Sequence, residues 1–406
     1  MSVLAPMTAG SVENVYVFVC DALRRDELPE SVADLGVTVP TLANALCTPQ
    51  SMPTILTGLY PPNHGVDWFD EVLSPDVPTL FDADTGDSNG LSVGYDELVW
   101  KGSSVRNVLD DPPRVDLSSV DPPFVAVEHD HGGHTPYPGD MERTTADLLG
   151  RIGDTDELRR RYREGVAASV ERFHDRMAVL DDRGLLDETL VLFTSDHGEL
   201  LGEHGGFVGH QLPVAPEVVH VPTVAIHEGL PAGERRSKHV SHVDFVPTIA
   251  DALTTDTGLP TEAMDGVSLF SDLPRTRLTY THALVRATPK FRGSMLDPIY
   301  DAPSVWSLSG GRVVGKTGPV RRSALIWYEA LRSNYTAAFN ADRNPVGRLV
   351  RSARVYGPRT QTFGTPEFSR SEATELIETV RSGDVSARKT DIDEETRRDL
   401  EDLGYV

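Results

Sequence analysis

Four short apolar runs, each followed by polar residues, set the rhythm of the chain. Asn14–Cys20 reads NVYVFVC, apolar at nearly every position and rich in β-branched side chains. A run of this length and content predicts a strand buried on both faces. Phe124–Val127, Thr189–Thr194 (TLVLFT) and Val221–Ile226 predict three more. Between them the period lengthens. In Asp156–Arg183 apolar residues recur every three or four positions, from Leu158 through Tyr162, Val166, Val170, Phe173 and Met177 to Leu180. That spacing predicts a long amphipathic helix, which Gly184 can close. Val243–Leu253 predicts another helix. Pro49–Thr57 predicts a shorter one, with Thr48 as N-cap and proline at the first helical position. Strands alternating with helices, without an internal repeat, predict an α/β fold: a mainly parallel sheet sandwiched by helices.

The pattern changes late in the chain. Ser304–Leu308 and Arg312–Val314 flank Ser309-Gly310-Gly311, a hairpin signal, and Glu372–Arg381 and Glu394–Leu403 predict helices. Charge changes near the same place. Residues 277–406 carry 20 basic and 16 acidic side chains, a net of +4, whereas residues 1–276 carry 18 and 46, a net of −28. The expected division is a large α/β domain, 1–276, and a small C-terminal α+β subdomain, 277–406. The basic excess concentrates in Arg312–Arg359, with ten basic residues against Glu329 and Asp342. There Arg321, Arg322, Arg348 and Arg351 are candidates either to dock the subdomain on the acidic body or to bind an anion.

The whole chain has 406 residues and a formal net charge of −24, and only five of its 38 basic residues are lysine. An acidic, lysine-poor surface resembles that of proteins from salt-loving microbes, where salt screens self-repulsion. It argues against nucleic acid as a partner. No apolar stretch reaches the ~18 residues of a membrane helix, and Met1–Glu13 has no secretory pattern. Two cysteines, Cys20 and Cys47, cannot build a disulfide framework or a thiolate cluster. The expected compartment is the cytoplasm; the oligomeric state is left open.

The candidate chemistry follows the predicted strands. Asp21, Asp130 with His134, and Asp196 with His197 each stand just past a strand end, where open α/β sheets form their ligand crevice. Leu190–Gly205, LVLFTSDHGELLGEHG, delivers a carboxylate and an imidazole together. Both are ligands suited to zinc, manganese or similar ions. The segment resembles the metal-binding motif of the alkaline phosphatase superfamily, in its sulfatase-like branch. VYVFVCDALRRDEL, CTPQSMPTILTGLYPPNHGV, HTPY, SHVDFVPTIADAL and the terminal LEDLGYV resemble further segments of that branch, in order. Residues 280–390 resemble no named part of it.

The resemblance implies a metal-dependent hydrolase or transferase of sulfuric or phosphoric esters. It implies a first metal site of Asp21, Thr48, Asp196 and His197, holding zinc, manganese or calcium. His134 and His210 are candidates for a second site. Asp130 resembles part of the second-metal pair of the nucleotide pyrophosphatases, and His129, His131 and His204 stand close enough to compete. His134 and Arg24 are candidates to bind the substrate. His64, in YPPNHG, is expected to make a structural hydrogen bond.

Two frames compete for the nucleophile. Cys47-Thr48-Pro49-Gln50-Ser51 resembles the sulfatase motif in which the cysteine becomes formylglycine, but Ser51 stands where that motif has arginine. In the family the nucleophile lies ten residues before a glycine, and counting back from Gly58 gives Thr48. Thr48 then resembles the threonine nucleophile of phosphodiesterase and phosphoethanolamine or phosphoglycerol transferase members. A threonine hydroxyl is a weak nucleophile until a divalent cation lowers its pKa, and a helix N-terminus favours the anion it attacks. Because the formylglycine pattern is broken, phosphoesters are favoured over sulfate esters. The expected substrate is a small, soluble, anionic ester. The rival readings are a phosphomutase-type isomerase and a non-catalytic binding protein.

Overall fold

In a computed structural model of the chain, residues 2–85, 88–93, 103–140, 144–210, 213–286, 298–331, 345–380 and 386–390 are described. An eight-stranded sheet organises them. Its main strands are β1 (Asn14–Cys20), β2 (Val37–Leu42), β3 (Gly90–Val93), β4 (Val125–Asp130), β5 (Thr189–Thr194) and β6 (His220–Ile226). They lie in the order β2-β6-β5-β1-β4-β3, and Glu234–Arg235 and Val240–Ser241 pair along β2. Pairing is parallel from β5 through β1 and β4 to β3. β6 alone runs against its neighbours, β2 and β5.

The unbroken apolar character of β1 follows from cover on both sides. Val15, Val17 and Val19 face a core shared with helix α1 (Thr48–Thr57) and helix α3 (Phe245–Ala252). Tyr16, Phe18 and Cys20 face helix α2 (Thr155–Asp182) through Tyr162 and Phe173. Phe18 stacks on Phe193 with ring centroids 5.6 Å apart. Alternation vanishes because neither face meets water.

Helix boundaries follow local chemistry. Asp154 caps α2 by accepting from the Glu157 N–H, and Gly184 closes it in the left-handed region, as the glycine suggested. The start of α1 corrects the sequence reading by one residue. Cys47, extended at φ −150° and making no side-chain capping bond, occupies the N-cap, so Thr48 is the first helical residue. His64 makes the structural bond expected of it. Its Nδ1 accepts from the Val66 N–H, so its Nε2–H points at the Thr54 hydroxyl, 3.2 Å away on α1.

Past residue 276 a second, antiparallel sheet runs β7 (Thr279–Val285), β8 (Tyr300–Ser307), β9 (Gly310–Val314) and β10 (Thr360–Gly364). Ser307 pairs with Gly310, so the glycines lie in the strand and the turn is Leu308-Ser309. Between β9 and β10 come helices α4 (Pro319–Leu331) and α5 (Pro345–Tyr356), which the apolar pattern did not predict. Helix α6 (Arg370–Thr379) matches the segment predicted at 372–381. The predicted helix at 394–403 and the LEDLGYV segment lie outside the described residues. The small sheet packs on the large one through a core joining Leu42, Leu46 and Val218 to Ala283, Trp306 and Val313.

Candidate active site

Two strand ends and one helix start converge. β1 delivers Asp21, β5 delivers Asp196 and His197, and α1 presents Thr48 at its N-terminus. One ligand atom each of Asp21, Asp196 and His197 falls within a sphere where all lie within 4.8 Å of one another. His197 Nε2 is 3.5 Å from Asp21 Oδ1, 3.4 Å from Asp196 Oδ2 and 3.5 Å from Thr48 Oγ1. Four residues from three distant segments of the chain therefore share one point.

The backbone fixes how each group faces that point. Asp196 Oδ1 accepts from the N–H groups of Ala22 and His197, at 3.3 and 3.0 Å, which leaves Oδ2 turned inward. Ser195 bolts the two strand tips together, accepting from the Leu23 N–H at 2.8 Å and donating to the His197 carbonyl at 2.6 Å. Tyr162 on α2 holds the loop after Asp21, donating to the Ala22 carbonyl and accepting from the Arg24 N–H. The turn after β4 packs so closely on Asp21 that a Cβ on Gly132 would lie 2.2 Å from the Asp21 carbonyl oxygen. Only glycine fits there, at φ +56°.

These contacts leave an electrostatic conflict. His197 Nδ1 lies 3.0 Å from the Gly198 carbonyl, which can only accept, so Nδ1 carries the proton and Nε2 presents a lone pair. That lone pair faces two carboxylates. Asp21 Oδ1 and Asp196 Oδ2 are both buried without a hydrogen-bond partner. Burial first, then the neighbouring Asp196 and Glu199, push the Asp21 carboxyl well above its usual range. Burial also opposes ionisation of Asp196, but His197 and His129 hold its carboxyl low. Two adjacent buried carboxylates and an imidazole lone pair are compatible when a cation lies among them, and the residues fit one.

The structure brings some predicted residues to this point and not others. His134 and His210 meet beside it, Nε2 to Nε2 at 3.2 Å, and the His210 ring stacks on His197 at 4.0 Å. Asp130 is not in the cluster. Its carboxylate grips Arg172 of α2 at 2.6 and 2.7 Å and accepts from the Gly132 N–H, so it shapes the turn that carries His134. Arg24 is neither exposed nor aimed at the cluster. It is buried and pairs with Asp26 and Glu203, each at 2.7 Å. Of the basic segment, Arg321 donates to the Pro298 carbonyl and Arg322 to that of Gly357, and Arg351 packs against Gly205. The Arg348 side chain lies outside the described residues.

His129 is nearer the carboxylates than its secondary place in the sequence reading suggested. Its Nε2 lies 3.8 Å from Asp21 Oδ2 and from Asp196 Oδ2. The missed signal was strand length. β4 runs on to Asp130, three residues past the predicted end, and pairs His129 with Val19 of β1.

Cys47 is turned elsewhere. It packs with Val66, Trp68 and Phe69, and its thiol meets Gln50 Oε1 at 3.5 Å. Burial pushes the thiol up, so it stays protonated at neutral pH. Cys47→Ala is accordingly expected to keep turnover within about threefold of the parent, since a large loss in kcat marks an interaction made in the transition state. Peptide mass spectrometry is expected to find an unmodified cysteine there; formylglycine would return the nucleophile to position 47.

Fold and site together define an ester-acting enzyme of the alkaline phosphatase-like kind. The sulfatase family pattern matches residues 83–255. Low-salt glycan biosynthesis sulfotransferase Agl7 of Haloferax volcanii is 32% identical over 404 residues, covering 97% of this chain and 96% of its own. Human arylsulfatase K is 35% identical over 169 residues, 41% of this chain and 28% of that one. The phosphonate monoester hydrolase of Agrobacterium radiobacter shares the fold, with a TM-score of 0.58, 16% identity and coverage of 91% and 95%. The chain belongs to the sulfatase family of the alkaline phosphatase superfamily.

Proposed function

We propose that the enzyme transfers a sulfuryl or phosphoryl group from an anionic ester to a hydroxyl acceptor through a covalent Thr48 intermediate. The observation that carries this is Thr48 Oγ1 at the start of α1, 3.5 Å from His197 Nε2 and beside the Asp21–Asp196 pair. The length-matched sulfotransferase relative supports sulfuryl transfer, with a glycan hydroxyl as acceptor. This moves the preference from phosphate, which the sequence pattern favoured, to sulfate.

The chemistry of threonine agrees with transfer. In the first step the Thr48 hydroxyl gives up its proton as its oxygen bonds to sulfur, the ester oxygen–sulfur bond breaks, and the leaving oxygen takes up a proton. A threonine ester has no geminal hydroxyl whose collapse could expel the group. It is discharged only when another oxygen attacks sulfur and the Thr48 oxygen leaves. The attacking hydroxyl must lose its proton, and the paired histidines can take it. His134 Nδ1 faces the Thr135 carbonyl at 2.5 Å and His210 Nδ1 the Leu46 carbonyl at 2.7 Å, so both carry their protons at Nδ1. Their Nε2 lone pairs then face each other and can share one proton. Burial lowers both rings, His134 to about 3, so the pair rests neutral, and sharing the proton between the two facing lone pairs is what would offset the weak basicity of each ring.

Asp21, Asp196 and His197 would hold a divalent cation, zinc or manganese before calcium given the imidazole, which would acidify the Thr48 hydroxyl and polarise the ester. The first 276 residues supply every group named here, which supports a catalytic domain of that extent.

The test is a panel of nitrophenyl sulfate, phosphate monoester and phosphodiester in high salt, with manganese or zinc, with and without a sugar acceptor. Transfer predicts faster nitrophenol release with acceptor and the sulfuryl group on the sugar. Release indifferent to acceptor would make the enzyme a hydrolase, and a rearranged phosphate ester would make it a mutase. No turnover and no bound metal would leave the binding-protein reading.

A further inference from the structure

Helices α4 and α5 form a hairpin inserted between β9 and β10, which are themselves antiparallel neighbours. The inner sides of the helices join the small-sheet core through Leu325 and Tyr356. The outer sides are also apolar. Val320, Ala324 and Trp327 lie at i, i+4 and i+7 of α4, and Val346, Val350 and Ala353 lie at the same spacing on α5. All six are exposed. Among the described residues, five large apolar side chains are exposed, and Val320, Trp327, Val346 and Val350 are four of them. Trp327 is 55% exposed and Val320 71%. A surface helix ordinarily turns polar residues outward, so a doubled apolar stripe marks a contact face.

The charge around the stripe points to its occupant. Arg354 on α5 and Arg359, three residues past its end, are exposed, on a chain whose net charge is −24. Symmetric pairing of two copies through this face would set the arginines against their own copies. An anionic lipid surface is attracted by the arginines while the rest of the acidic body is repelled, which also fixes orientation. Exposed valines and a tryptophan enter the headgroup boundary, where indole rings are favoured and arginine stems can reach back to phosphate. No helix among the described residues is long and apolar enough to cross a membrane, so the contact is peripheral.

We propose that the α4–α5 hairpin is an interfacial docking face that seats the enzyme on an anionic lipid surface. The hairpin also touches the loop that links His197 to His210: Arg351 packs against Gly205, and Phe363 on β10 meets the His204 ring edge-on at 5.6 Å. Docking therefore holds that edge of the site close to the surface.

The test is co-sedimentation of the full chain with phosphatidylglycerol and with phosphatidylcholine vesicles. The protein is expected to pellet with the first and not with the second. In a Trp100→Phe background its tryptophan emission should shift to the blue on binding, and Trp327→Phe should abolish that shift, since Trp68 and Trp306 are already buried. Val320→Ser with Val350→Ser should weaken partitioning about tenfold or more. Arg354→Glu with Arg359→Glu should remove the preference for anionic vesicles. Melting temperature and turnover of a small soluble ester should hold in all these variants. Protein that stays in the supernatant with both vesicles overturns the proposal. So does partitioning that none of the variants weakens, or a dimer that Val350→Ser dissolves.

Discussion

Thr48→Ala is expected to lower kcat by about 10⁴-fold or more, the scale seen when a covalent nucleophile is removed. The argument rests on placement. Thr48 is the first residue of α1 rather than its cap. It lies at the positive end of the helix, within 3.5 Å of His197 Nε2. Alanine is a good helix former and removes only the hydroxyl and a methyl group, so melting temperature should change little. Thr48→Ser, which keeps the oxygen, should restore a measurable part of the rate. In the parent, acid quenching during turnover should trap one sulfuryl or phosphoryl group on the peptide containing Thr48. An alanine variant with near-parent activity would remove Thr48 from the mechanism. A stable, inactive alanine variant alongside a label on some other residue would leave Thr48 as a positioning group only.

How much of this was legible in the sequence differs from element to element. β1 and β5 were plain because both faces are buried, and runs such as NVYVFVC and TLVLFT have few other uses. α2 was plain because 28 residues of steady period are hard to mistake. Asp21, Asp196 and His197 could be placed because a strand end fixes the position of the residue after it. The end of β4 was hidden: Glu128, His129 and Asp130 look like loop residues, yet all three are buried in the strand. Glu128 is tolerated there because Arg176 and Tyr16 neutralise and bond it, and Asp130 because Arg172 does. Those partners come from β1 and α2, so no local pattern could announce them. For the same reason Asp130 looked like a ligand and Arg24 like a substrate-binding group. Spacing reports which residues arrive at a place, but the ion pairs that engage them come from elsewhere in the chain. The hairpin of α4 and α5 was missed for a different reason. Its helices are apolar on two sides, and a periodicity test seeks one.

Asp196→Asn is expected to reduce metal affinity by well over tenfold while leaving the fold intact, and its effect on stability should be small without metal and large with it. Asn keeps an oxygen for the two backbone N–H groups of Ala22 and His197, so the strand tips remain bolted. It removes the charge at the atom that faces Asp21 and His197. Without metal, burial and the neighbouring Asp21 acid oppose the Asp196 charge, while His197 and His129 favour it and hold its carboxyl low. The metal-free variant should therefore melt close to, or slightly below, the metal-free parent. With metal the gap widens. A cation bound only by the folded parent stabilises it by about 2.7 kcal/mol at a concentration of 100 Kd, and the variant gains little. Metal content by elemental analysis, and melting curves with chelator and with added manganese or zinc, measure both halves. If parent and variant bind metal alike, the ligand assignment is wrong. If the metal-free variant melts far below the metal-free parent, Asp196 is a structural carboxylate whose charge the fold itself requires.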